Sequence, residues 1–221
     1  TALVNLSANG CLFANVEMLM GVAGTSPVGC LKITGMRNKF VNCHIAGIGH
    51  ANNDIATASS VWFATGASEN YFKDCVIGVD TIARGTGSTV AEILFTNSLA
   101  GGAASNYRNI FEGCIIVGLC ETAGNYNFVK ASTNASACGR FLIFKDCIFA
   151  NPGASAGGVE MTAAFLLHAT LGGWMIMHNC TVAGAAILHT AETANIIMGA
   201  GTTVGSMEAT DCGVGVVYNS T

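Results

Sequence analysis

Seven cysteines recur along the chain at a nearly constant interval, and their thiols offer the widest choice of chemistry in this sequence. They are Cys11, Cys43, Cys75, Cys114, Cys147, Cys180 and Cys212, separated by 32, 32, 39, 33, 33 and 32 residues. Thiols can form disulfides, bind metal ions or act as nucleophiles. Zinc sites need Cys and His at short paired spacings, and the chain contains no Cys-x-x-Cys motif. The even, long spacing indicates a structural repeat instead.

The residues around each cysteine also recur. An apolar residue, most often Phe, is followed by two polar or small residues, the Cys, any residue, and then Ile, Val or Phe. The copies are residues 38–43, 70–75, 109–114, 142–147, 175–180 and, more weakly, 207–212. Period-two alternation predicts strands with one buried face. The Asn, Asp or Gly before each Cys tolerates left-handed backbone, so we expect two short strands that meet at a corner, with Phe, Cys and Ile pointing inward.

A second strand recurs elsewhere in each repeat as a short run of β-branched or aromatic residues closed by Thr, Ser or Gly. Its copies are residues 30–35, 61–66, 93–97, 128–132, 165–169 and 196–199. Loops rich in small residues, such as 49–54 and 151–155, separate the strands. Extra loop around residues 101–105 accounts for the single long interval.

Several short strands per repeat, stacked about 4.8 Å apart, predict an all-β parallel solenoid with six to seven coils of roughly 32 residues. We expect it to form one domain, residues 1–221. The pattern resembles the single-stranded right-handed parallel β-helix of pectate-lyase-like proteins and of many phage tailspikes and virion proteins. The resemblance extends from Cys11 to Cys212, and it is the resemblance that implies the right-handed sense.

In such a stack the seven cysteines would form an interior ladder of reduced, structural thiols, because free Cys behaves as a small hydrophobe. Consecutive coils bring Cα atoms near the lower end of the disulfide range, but parallel Cβ vectors disfavour the required dihedral angle. Metal binding is the alternative. Cys30, Cys120 and Cys138 lie off the ladder, and one of them could make a contact between subunits.

Other candidate chemistry is dispersed. A glycosidase needs two carboxylates at a matched separation, whereas the carboxylates here are scattered: Glu69, Asp74, Glu92, Glu112 and Asp146. Asp74 and Asp146 could line one face, but a role in the corner turns explains them better. The histidines are scattered too: His44, His50, His168, His178 and His189. Residues 85–88 lack the Lys of a phosphate loop. We therefore predict no catalytic, metal or cofactor site.

The composition points to protein partners. Hydrophobic residues make up 51% and charged residues 10% of the chain, against about 25% charged in an ordinary domain. The formal net charge is −4, and nine Lys and Arg are scattered singly, which argues against nucleic acid. No apolar run approaches the roughly 18 residues of a membrane span. Much of the outer surface is therefore expected to pack against other protein.

The resemblance to phage β-helices implies a non-enzymatic virion protein. We expect a homotrimer that decorates and cements a phage capsid, with the major capsid protein as partner. A tailspike or tail-fibre segment is a close alternative. The rival class is an enzyme on the same fold, a polysaccharide lyase, glycoside hydrolase or depolymerase. A bacterial adhesin or passenger domain is a third possibility.

Overall fold

The computed structural model describes residues 2–20, 29–48, 55–97, 106–189, 196–198, 203–205 and 216–217. Nearly all regular structure in these ranges is β-strand, and the helices among them are two short 3₁₀ turns, Ala135–Ala137 and Gly153–Ala156. No helix in this part of the chain is long and apolar enough to cross a membrane. The prediction of an all-β protein is confirmed.

The strands form three large sheets, called A, B and C here, and one small sheet. Sheet A contains, in spatial order, β1 (Ala2–Leu6), β4 (Gly29–Ile33), β7 (Val61–Phe63), β11 (Val90–Phe95), β15 (Tyr126–Ala131), β18 (Met161–Leu167) and β21 (Ala185–His189). Sheet B contains β2 (Leu12–Ala14), β5 (Lys39–Val41), β8 (Tyr71–Lys73), β12 (Asn109–Glu112), β16 (Phe141–Lys145), β19 (Trp174–His178) and β22 (Ile196–Met198). Sheet C contains β3 (Glu17–Met20), β6 (His44–Ile48), β9 (Val76–Ile77), β13 (Ile115–Val117), β17 (Ile148–Ala150), β20 (Thr181–Ala183), β23 (Thr203–Gly205) and β24 (Val216–Val217). The small sheet pairs β10 (Ala83–Arg84) with β14 (Leu119–Cys120).

The chain visits sheets A, B and C in turn, and each strand lies beside the strand at the same place in the neighbouring repeats. Val61, for example, pairs with Leu31 of the repeat before and with Ile93 of the repeat after. All pairings among the described strands are parallel except that of β23 with β24. These stacked parallel sheets are compatible with the predicted solenoid.

The inner faces of the three sheets share one core. In sheet B, the phenylalanines of successive repeats stack face to face, with ring centroids 4.5 Å apart for Phe40 and Phe72 and 4.8 Å apart for Phe72 and Phe111. Edge-on contacts join the sheets, since Phe144 of sheet B meets Phe149 of sheet C at 5.0 Å, and Phe149 meets Phe165 of sheet A at 5.3 Å. The apolar residues at every second strand position are thus the ones that point inward and stack in rows.

The corners between sheets B and C have the predicted left-handed backbone. The residues at this position are Asn15, Asn42, Asp74, Gly113, Asp146 and Asn179, with φ between 50° and 63°. Only Gly, and to a lesser degree Asn and Asp, adopts this conformation at low cost, which explains why these three types alternate there. At the corners of Asn42, Asp74, Gly113 and Asp146, the flanking Phe, the Cys and the following apolar residue are buried, as predicted.

One predicted strand belongs to a different sheet. Residues 196–199 were expected to continue the row that contains 165–169, but Ile196 pairs with Met175 of sheet B. The strand that follows β18 in sheet A is β21, where Ala185 pairs with Met161. The apolar, β-branched character of 196–199 suits either sheet, so composition alone assigned it wrongly. The loops predicted at 49–54 and 101–105 lie outside the described residues.

Candidate functional site

Five of the seven predicted ladder cysteines occupy one position in successive repeats. They are Cys43, Cys75, Cys114, Cys147 and Cys180, all buried at the start of sheet C and all free thiols. Each thiol points to the carbonyl oxygen of a sheet B phenylalanine in the preceding repeat, as Cys114 Sγ does to Phe72 O at 3.6 Å. Backbone bonds maintain the register, since from Cys75 onward the amide after each cysteine donates to the carbonyl of the cysteine in the preceding repeat; Ile115 N and Cys75 O are 2.9 Å apart.

Cys11 does not belong to this column, which corrects the sequence alignment. The amide of Lys39 donates to Cys11 O at 2.8 Å, as the amide of Tyr71 donates to Asn38 O at 2.9 Å. Cys11 therefore stacks beneath Asn38. The place beneath Cys43 is taken by Val16, whose carbonyl accepts from His44 N at 2.9 Å. Cys212 lies outside the described residues.

The thiols of this column are buried side chains of the core. Hydrogen bonds with the Cys147 and Cys75 thiols, followed by burial, raise the pKa of Cys114. Burial also raises the pKa of Cys43. Because the thiolate is the nucleophile and the metal ligand, a raised pKa keeps the Cys43 and Cys114 thiols unreactive. Among the described residues, no group of three or more His, Cys, Asp or Glu side chains is placed to hold a metal ion.

Stacked asparagines, which the sequence pattern contained but did not explain, form a second interior column. Asn38, Asn70 and Asn109 are buried at the start of sheet B strands. The Asn70 side-chain oxygen accepts from Asn38 N and from Asn38 Nδ2, both at 3.1 Å, and Asn70 Nδ2 donates to Asn109 Oδ1 at 3.1 Å. The column thus satisfies backbone groups where the chain turns from sheet A into sheet B.

A buried ion pair lies between sheet A and the small sheet. Arg84 Nη1 and Glu92 Oε1 are 2.5 Å apart, and both side chains are fully buried. The hydroxyls of Ser60 and Tyr126 donate to the same carboxylate, while Arg84 Nη2 donates to Ala58 O at 2.8 Å. Arg84 was missed in the sequence because it sits among small loop residues. The charged groups of this cluster bond to one another and to neighbouring protein groups, so we assign the cluster a structural role.

The remaining carboxylates also have structural partners. Glu69 accepts from Arg37 Nε at 2.5 Å and from Arg108. The hydrogen bond from Arg37 is the main reason that the pKa of Glu69 is lowered. Glu112 accepts from the Tyr71 hydroxyl at 2.6 Å.

Asp74 and Asp146 do line one face, as considered from the sequence. Both are corner residues, and Gly113 occupies the same corner in the repeat between them. Asp146 Oδ1 accepts from Asn179 Nδ2 at 2.7 Å. A side chain at Gly113 would meet the Asp74 carboxylate, which explains the glycine between them. The described histidines are separate: His44 lies 3.5 Å from Glu17, and His168 contacts Thr170.

The outer faces of sheets B and C expose large apolar side chains. On sheet C, Ile115 and Ile148 are paired neighbours that are 41% and 45% exposed. Around them lie the half-buried residues Val76, Val117, Ala150 and Ala183. On sheet B, the paired neighbours Phe141 and Trp174 are each 43% exposed. Contiguous exposed apolar rows of this kind mark interaction surfaces.

An arginine cluster borders the outer face of sheet B. Arg108 and Arg140 lie 5.2 Å and 4.9 Å from the centre of the Tyr107 ring. A recurrent signal for this cluster was present in the sequence, since a charged residue precedes each stacked asparagine: Arg37, Glu69 and Arg108. Aromatic and Arg side chains are enriched in protein interfaces. The outer faces of sheets B and C, with their borders, are therefore the candidate functional site.

Comparison with known proteins gives no match: no family model, no curated protein and no solved structure is significantly similar to the chain.

Proposed function

We propose that the chain is a structural protein that assembles through the outer faces of sheets B and C. The observation that carries the proposal is the presence of exposed apolar pairs on two faces, Ile115 and Ile148 on sheet C and Phe141 and Trp174 on sheet B. Only 10% of the residues are charged, so there is little charge repulsion to prevent such faces on different copies from associating in solution. A purified chain is expected to form a homo-oligomer.

The finer fold assignment belongs to the same proposal. We assign the chain to the single-stranded right-handed parallel β-helices, with six to seven coils. Support comes from the repeated passage through sheets A, B and C, and from the strong preference of parallel crossover connections for the right-handed sense. The interior columns of Phe, Cys and Asn are what identical coils placed one on another would produce.

The biological setting that we propose is a phage virion. The chain would form a homotrimer that decorates and cements the capsid, in contact with the major capsid protein. This step rests on the resemblance of the repeat pattern to phage β-helices, and fold analogy alone supports it.

Two measurements test the proposal. Light scattering on the purified chain, whose mass is 22.5 kDa, should give three times that mass. Immunogold labelling of virus particles that carry the gene should place the chain regularly on the capsid shell. A monomer that turns over a polysaccharide would refute the structural role, and label confined to the tail would move the protein to a tailspike or fibre.

The second candidate is a tailspike or tail-fibre domain that binds, or cleaves, polysaccharide. The neighbouring Phe141 and Trp174 favour it, because two exposed aromatic rings on adjacent strands could stack on sugar rings. Arg140 precedes Phe141 and would suit an acidic sugar. Binding of a capsular polysaccharide that is lost in Trp174→Ala, with unchanged oligomeric state, would favour this candidate.

A further inference from the structure

The two apolar faces have borders of opposite charge. Residues that lead from sheet A into sheet B form the A–B connections, and those that lead from sheet C into sheet A form the C–A connections. The A–B connections contain Arg37, Arg108 and Arg140, which are three of the four arginines. The fourth, Arg84, is buried in its ion pair with Glu92.

The border formed by the A–B connections, the A–B border, has more positive than negative charge. Arg37 and Arg108 share a single carboxylate, that of Glu69. Arg140 is exposed, lies over Tyr107, and forms no ion pair within the described ranges. Among the described residues of this border, three guanidinium groups stand against one carboxylate, an excess of two positive charges.

The border formed by the C–A connections, the C–A border, carries negative charges that are not in ion pairs. Asp80, Glu121 and Glu160 follow β9, β13 and β17 in three successive repeats, and none of them forms an ion pair in the described part of the chain. Asp80 and Glu121 are exposed. Glu121 accepts from the Thr86 hydroxyl at 2.6 Å. Glu160 Oε1 is buried without a hydrogen-bond partner.

The opposite charges lie at matching levels of the stack. Arg108 leads into β12, which continues through β13 to Glu121. Arg140 leads in the same way into β16, which continues through β17 to Glu160. Two copies standing side by side, related by an axis parallel to the stack, would therefore bring Arg108 level with Glu121 and Arg140 level with Glu160.

We propose that face B of one copy packs on face C of the next, with the A–B arginines of the first copy against the C–A carboxylates of the second. This inference rests on the proposed assembly function and names its contact. It joins the Phe141 and Trp174 surface to the Ile115 and Ile148 surface. The alternative contact joins the outer faces of sheet B from two copies, with their B–C corners on the same side. It would place the A–B arginines of one copy against those of the other. A contact between different faces is heterologous, and it closes into a ring when the rotation between copies is one third of a turn about the shared axis, as in the proposed trimer.

Charge exchange within one chain tests the contact. Arg108→Glu and Glu121→Arg are exposed changes, and each should weaken self-association at least tenfold in sedimentation velocity, because it opposes like charges. The double variant R108E/E121R should recover most of the association. It should also fail to form mixed oligomers with the unchanged chain, since their borders would repel. Lys32→Glu, on the outer face of sheet A, is the matched control and should leave association unchanged.

The outcomes separate this contact from the broader proposal. Oligomers that form equally well in both single variants would overturn the contact while leaving assembly intact. Weakening in the single variants without recovery in R108E/E121R would overturn it too. A chain that stays monomeric would refute both, and a monomer that binds acidic polysaccharide through Arg140 would assign the arginine border to sugar. Circular dichroism checks that each variant is folded.

Discussion

Arg84 and Glu92 form an ion pair in which both side chains are completely buried, with 2.5 Å between Arg84 Nη1 and Glu92 Oε1. The rest of the core is lined by Phe, Ile, Val and Cys. A buried charge is tolerated only when it is paired and hydrogen-bonded, and here the Ser60 and Tyr126 hydroxyls complete the set. Such a pair fixes the register of the repeats that supply its members more than it adds stability.

Glu92→Gln should destabilise the protein strongly. It leaves the Arg84 guanidinium buried without a counter-charge, and breaking such a pair costs about 3–5 kcal/mol. Urea unfolding followed by circular dichroism measures the loss. Glu112→Gln, at a more exposed pair with Lys145, is the control and should change stability little. The double variant R84M/E92L should be more stable than E92Q, and an E92Q protein as stable as E112Q would contradict the account.

Position 146 should prefer glycine to a β-branched residue. Asp146 has φ of 54° at a B–C corner, and left-handed backbone costs an ordinary residue roughly 1–2 kcal/mol. Asp146→Val should therefore lower the free energy of unfolding by more than Asp146→Gly, although both lose the hydrogen bond from Asn179. Equal losses in the two variants would show that the corner conformation is not what selects the residue.

Cys11 should be the first thiol to react in the native protein. It is partly exposed, whereas the eight other described cysteines are buried. Burial raises the pKa of Cys30 to about 11 and that of Cys120 to about 12, so both remain neutral near pH 7. Reaction with a coloured disulfide reagent, in a Cys212→Ser background, should show one fast thiol.

Two variants assign that fast thiol. Cys11→Ser should abolish the fast phase, and Cys114→Ser should leave it. The opposite result would place Cys114 at the surface and contradict the interior column. In denaturant, all ten cysteines of the unmodified chain should titrate as free thiols.

Cys11 also shows why periodic spacing alone could not give the whole register. The run Cys-Leu-Phe-Ala at 11–14 imitates Cys-Ile-Phe-Ala at 147–150, yet in the first repeat Phe13 takes the place of Phe40 and Val16 the place of Cys43. A buried position accepts Val or Cys alike, because both are small and apolar. The row from Cys43 to Cys180 was predictable because all five of these repeats have Cys there, and the left-handed corners were predictable because few residue types adopt that backbone.

The buried ion pair and the charged borders of the candidate site were harder to predict. Arg84 and Glu92 are eight residues apart in sequence, but their contact depends on how β10 and β11 fold toward the same interior. The charged borders come from single residues in connections of different length, so no period reveals them. Only the strand register brings Arg108 level with Glu121.

The ion pairs of Glu69 should make stability fall in acid. Hydrogen bonding to Arg37 lowers the pKa of Glu69 in the folded protein, so its contribution is present above the ordinary carboxyl pKa of about 4.3. That contribution disappears as pH falls through the lower, folded-state pKa. Glu69→Gln should thus reduce the thermal midpoint at pH 7 but not in strong acid. A difference that persists at both pH values would contradict an ionic role.

Lysines on the outer face of sheet C should produce a folded monomer. Ile115 and Ile148 are paired neighbours on that face, 41% and 45% exposed, so I115K/I148K places two like charges in the proposed interface without entering the core. Sedimentation velocity should show the loss of oligomers, because charges at the centre of an apolar interface must be desolvated. Circular dichroism and the unfolding midpoint should stay close to those of the unchanged chain.

Thr162→Lys provides the control for that variant. Thr162 is exposed on β18 of sheet A, whose outer face is not part of the proposed contact. It should leave the oligomer intact. Loss of oligomers in T162K would show that copies meet through sheet A, and survival of oligomers in I115K/I148K would contradict a contact through the outer face of sheet C. The contact between faces B and C predicts the reverse, because sheet A would then face outward from the ring.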